Sequence, residues 1–85
     1  MTVRESYEIH DFETYKVVKR NGHVTEIHPG RIYRIKPLNK NRKRHVGRRC
    51  MLIAFSDDFM SFEARVRFID TYREGKVDIR ELVEG

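Results

Sequence analysis

From Phe62 to Ile69 the chain alternates, with Phe62, Ala64, Val66 and Phe68 on one side and Glu63, Arg65, Arg67 and Ile69 on the other. A period of two marks a half-buried strand and does not fit the helical period. Phe62, Ala64, Val66 and Phe68 are therefore expected in the core. Upstream, Arg48 to Phe55 is a nearly continuous apolar run, the pattern of a central strand covered on both faces. Between these runs, Ser56-Asp57-Asp58 carries side chains that bond their own backbone in turns, so a turn is predicted there. Arg31 to Lys36 alternates again. Ile32, Arg34 and Lys36 share one side and Tyr33 and Ile35 the other, which predicts a strand with one basic face.

The N-terminal third reads as a hairpin. Thr14 to Arg20 and His23 to Ile27 are rich in β-branched and aromatic residues, and Asn21-Gly22 separates them. Asn-Gly is the preferred pair for a type I′ turn, which needs positive φ at both central positions. Residues 14–28 are thus predicted to form a β-hairpin, half apolar, with one side solvated or lying over the edge of the core. Tyr7 to His10 alternates weakly and fits a short strand or an irregular lead-in. His28-Pro29-Gly30 ends the hairpin, and Pro37 to Arg44 has no periodicity and predicts a long exposed loop. After Phe68, residues 70–75 predict a turn and Lys76 to Ile79 a short strand. Arg80 to Val83 predicts a helical turn capped by Asp78. No stretch has the pattern of a long amphipathic helix. The class is all-β: about five short strands in a small closed barrel, which removes sheet edges. Residues 1–28 form an extension packed on it, and residues 29–85 form the barrel, as one structural domain.

Charge changes this picture more than composition does. The chain has 85 residues, a hydrophobic share of 39%, a charged share of 36% and a net charge of +5. That fits one globular domain with a small core and excludes disorder and collagen-like repeats. No apolar run approaches the roughly 18 residues of a membrane helix, and the start at Met1 has no apolar signal region. The single cysteine, Cys50, forms no internal disulfide, so a reducing, cytoplasmic setting is expected. Residues 36–49 carry seven basic groups and no acid, giving +7, while residues 1–35 sum to +1 and residues 50–85 to −3. The basic character is concentrated in one segment, and it points to a polyanionic partner.

Two stretches resemble known families. Val66-Arg67-Phe68-Ile69-Asp70, a turn with Gly75, Val77 and the closing Leu82-Val83 resemble the back half of SH3-like barrels, the Tudor pattern in particular. Gly30-Arg31-Ile32-Tyr33-Arg34-Ile35, a basic loop and His45-Val46-Gly47-Arg48-Arg49-Cys50-Met51-Leu52 resemble the KOW motif of transcription and ribosomal proteins. The likeness covers residues 29–84. It is also similar to small bacterial and phage proteins that have SH3-like barrels and no assigned activity. It implies an SH3-like barrel acting as a binding module.

The candidate site is the basic segment. Lys36, Lys40, Arg42, Lys43, Arg44, Arg48 and Arg49 are expected to meet RNA or DNA phosphates, with binding steeply dependent on salt. Tyr33 and Tyr72 are the candidate stacking platforms for bases. The Tudor likeness adds a possible cage of Tyr33, Phe59 and Tyr72 with Asp57 or Asp58, holding a methylated cation by cation–π attraction. An acidic protein partner, met as an adaptor, is the alternative class. No enzyme, cofactor or metal is expected. His10, His23, His28 and His45 lack ligand spacing, and Cys50 lies in the most apolar strand, where a thiol behaves as a buried hydrophobe. Adjacent Asp57 and Asp58 suit a turn rather than acid–base chemistry.

Overall fold

The structure is a computed structural model that describes residues 6–38, 45–57 and 61–85. It is all-β, in two antiparallel sheets. Strands β1 (Tyr7–Asp11), β2 (Lys16–Arg20) and β3 (His23–Ile27) form a three-stranded meander. Strands β4 (Ile32–Ile35), β5 (Arg49–Phe55), β6 (Glu63–Phe68), β7 (Glu74–Asp78) and β8 (Leu82–Glu84) form a second sheet in the order β7-β6-β5-β4-β8. A 3-10 turn, Ile79–Glu81, joins β7 to β8. The hairpin over residues 14–28 is present as β2 and β3, and β1 adds a third strand along β2. Asn21 and Gly22 have φ of 52° and 83°, the two left-handed positions a type I′ turn demands.

The apolar run is the middle strand of the larger sheet, with two neighbours on either side. Its core face is Cys50 and Leu52, and a bulge after Leu52 shifts the register so that Ala54 faces Arg65 and Phe55 faces Ala64. Bulges add local bend and twist. The sheet nevertheless does not close. Its edges are β7 and β8, with no ladder between them, so the predicted barrel is corrected to an open, five-stranded sheet. The missing wall is supplied by the smaller sheet, whose β2 and β3 meet the 3-10 turn and β8. Val18 and Ile27 join Tyr33, Ile35, Cys50, Leu52, Val66, Phe68, Val77, Ile79 and Leu82 in one core.

Two further expectations change. Phe62 is 43% exposed rather than in the core, although Ala64, Val66 and Phe68 are buried as predicted. The reason is that β6 begins at Glu63, while the Phe62 carbonyl accepts the Ile79 N–H at 2.8 Å, where the chain leaves the ladder. The Phe62 ring is instead capped by the Arg80 guanidinium, 4.4 Å from its centroid, which Asp78 holds with bonds as short as 2.7 Å. Asp78 does cap the terminal turn, accepting the Arg80 N–H at 2.8 Å, but the helical part ends at Glu81. Leu82 and Val83 are extended and pair with Ile35 and Arg34 of β4. Pairing on the open edge of β4 satisfies backbone groups that another helical turn would leave to solvent.

Candidate nucleic-acid interface

The core side chains of the larger sheet all leave from one face, so the opposite face must carry the alternate residues. That face holds Arg34 on β4, Arg49 on β5, Arg65 and Arg67 on β6 and Lys76 on β7, all exposed. The register sets Arg34 directly opposite Arg49 and Arg65 directly opposite Lys76. Like charges placed directly across a ladder destabilise it. Among the described residues none of these four makes an ion pair, although Glu63, Glu74 and Asp78 share the face in the ladder pairs on either side of Arg65 and Lys76, and Glu74 lies 3.6 Å from Arg67. With strands about 4.8 Å apart and a rise of about 3.4 Å per residue, the two pairs mark a diagonal roughly 17 Å long with Arg67 between them. Apolar surface interleaves with the charge. Ile32 is 51% exposed, and Met51, between Ile32 and Arg67 in the ladder, is half-buried.

The residues expected from sequence separate into four groups. Lys36 and Arg49 are exposed at the flanks of the basic segment, and Arg49 belongs to the basic face just described. Lys40, Arg42, Lys43 and Arg44 lie outside the described residues, as do Phe59 and Asp58. Arg48 is already engaged. Its guanidinium donates to both carboxylate oxygens of Asp70, at 2.9 and 3.2 Å, and lies 4.1 Å above the Phe68 ring, which His45 stacks at 5.1 Å. The Arg48 hydrogen bonds hold the Asp70 carboxyl below its ordinary pKa.

Tyr33 is corrected outright. It is 3% exposed, and its hydroxyl donates to the Glu26 carbonyl at 2.9 Å while accepting the His28 N–H at 2.7 Å. Burial raises its pKa, and the ring ties β4 to the end of β3 instead of offering a face to a base. The cage of Tyr33, Phe59 and Tyr72 is withdrawn with it. Tyr72 is 77% exposed, in the turn between β6 and β7.

The cleft beside the open edge is acidic among its described lining residues. It encloses about 560 Å³ above Ile35 and Val77, and Glu63, Asp78 and Glu81 line it against Lys76. Sequence reasoning assigned Arg34 to a basic strand face but left Arg65, Arg67 and Lys76 out of the site. The alternation of β6 carried that signal, since the same pattern that buries Val66 exposes Arg65 and Arg67 together. Comparison with protein-family models, with curated proteins and with solved structures finds no match for the chain.

Proposed function

We propose that the protein is a non-enzymatic module that binds nucleic acid by its phosphates, through the exposed basic face of the five-stranded sheet and the Lys36 flank of the basic segment. One observation carries the reading: two like-charged pairs, Arg34 with Arg49 and Arg65 with Lys76, oppose each other across the ladder, and none of the four makes an ion pair among the described residues. That arrangement costs the folded state energy unless a polyanion lies on it. The SH3-like resemblance belongs to the same proposal. The apolar pair Leu82-Val83, which helps carry the likeness, returns the chain to β4.

The face offers five cations, Arg34, Arg49, Arg65, Arg67 and Lys76, which neutralise at most about five phosphates of a single strand. Binding of a generic oligonucleotide should then fall with salt at a log–log slope of about −3 to −4. Fluorescence anisotropy with a labelled twelve-nucleotide strand tests this, with polyglutamate of equal charge as competitor. R49A/R65A is expected to weaken binding and flatten the slope by about 1 to 2, one phosphate per cation. An unchanged slope, or polyglutamate competing as well as the oligonucleotide, overturns the reading; the second result would favour an acidic protein partner.

A further inference from the structure

The four tyrosines differ in what occupies their rings. Tyr15 is stacked between Phe12 and His28, at 4.8 and 4.4 Å. Tyr7 has the Arg80 guanidinium 5.3 Å from its ring centroid, and Tyr33 is buried and doubly hydrogen-bonded. Tyr72 is the most exposed of the large apolar side chains described and has no ring or cation contact among the described residues.

Its backbone is also in an expensive place. Tyr72 has φ of 58°, in the left-handed region that a bulky side chain enters only at a cost. The turn fixes it there: the Tyr72 N–H donates to the Phe68 carbonyl at 2.8 Å, and the Phe68 N–H donates to the Arg73 carbonyl at 2.9 Å. A glycine would serve this turn without strain. An exposed aromatic ring therefore occupies a position that the fold alone would give to a small residue.

The turn is anchored to the basic face. The Ile69 N–H donates to the Arg49 carbonyl at 3.1 Å, so the turn begins beside the Arg34–Arg49 pair, and Ile69 is itself 37% exposed. A nucleic acid strand leaving the basic diagonal at this end reaches the turn next.

We infer that Tyr72 is a base-stacking platform at the Arg34–Arg49 end of the basic face, and that the ligand class is single-stranded nucleic acid. This rests on the phosphate-binding reading and adds to it. Phosphate contacts alone accept single strands and duplexes, whereas a ring can stack only on a base that is not already stacked on both sides within a duplex. Stacking on an aromatic side chain is sequence-tolerant and, by alanine substitution, worth about 5- to 140-fold in affinity per base.

The experiment compares the wild type, Y72A, Y72F and Y72G on three ligands at one low salt concentration: a single strand, a duplex of the same sequence, and a single strand of abasic sites. Y72A is expected to lose about 5- to 140-fold on the single strand and less than twofold on the duplex and the abasic strand. Y72F should retain single-strand affinity. Y72G should lose it while melting no lower than the wild type, since glycine relieves the backbone, which separates stacking from folding. Equal losses on all three ligands, or no loss on the single strand, overturn the inference. If R49A/R65A still weakens binding in that case, the phosphate reading survives. No binding of any ligand by the wild type sinks both.

Discussion

At the scale of single residues, three side chains show how little local pattern says about partners. Alternation over Arg31 to Lys36 sets Tyr33 beside Ile35, which already implies an inward ring; its hydroxyl partners, on the preceding strand and turn, have no signature in sequence. Tyr33→Phe should cost about 1 to 3 kcal/mol in urea unfolding, because the His28 N–H and the Glu26 carbonyl each lose a partner in a part-buried site. Cys50 was legible from its apolar surroundings, and burial pushes its thiol up to about 11. A thiol whose pKa is raised on folding binds its proton more tightly in the native state. Its contribution to stability is therefore whole below the unfolded value of about 9 and is lost as pH rises toward about 11. Urea midpoints of the wild type and Cys50→Ala, measured at pH 7 and pH 10.5, should converge at the higher pH; a constant gap would mean that the folded thiol titrates like an exposed one. Arg48 was legible as a cation but not as a committed one, since Asp70 reaches it from beyond β6.

Among elements, the strands with the longest alternation or apolar run, β5 and β6, were legible, as was the Asn21-Gly22 hairpin, whose turn chemistry is local. The three-residue β8 was not, because its extended shape comes from pairing with β4 rather than from its own sequence. The basic face was half legible for the same reason. Periodicity shows which residues of a strand share a side, and only register shows that Arg65 meets Lys76 and Arg34 meets Arg49. Those pairs make a prediction in which stability and binding move oppositely. Lys76→Thr removes one like-charge contact and introduces a β-branched residue, so it should stabilise the fold by about 0.2 to 1 kcal/mol while weakening oligonucleotide binding. Thermal melts of the variant beside its anisotropy titration check both halves. A variant that is both less stable and fully competent would show that Lys76 supports the sheet and does not serve a ligand.

For the whole molecule, the question is whether residues 1–28 are an appendage or part of the folding unit. The larger sheet has one buried face and an unclosed seam, and Val18 and Ile27 of the smaller sheet are among its most deeply buried partners. Burying two such side chains contributes about 3 to 6 kcal/mol. The Tyr33 hydroxyl bonds at the junction add about 1 to 3 kcal/mol. A domain of this length is stable by only about 4 to 13 kcal/mol in total, so the loss of these contacts removes a large part of it. The fragment 29–85 is therefore expected to lack a folded state, although it contains all five strands of the larger sheet. Its amide NMR spectrum should collapse to the narrow dispersion of an unfolded chain. The full chain should melt in one transition, with far-ultraviolet circular dichroism and tyrosine fluorescence coinciding. A well-dispersed spectrum from the fragment would make the larger sheet self-sufficient and leave the smaller one as a free surface. If the fragment is unfolded, the two sheets are one cooperative structure. The outer face of the larger sheet is then left free to carry a charge arrangement that its own ladder does not favour.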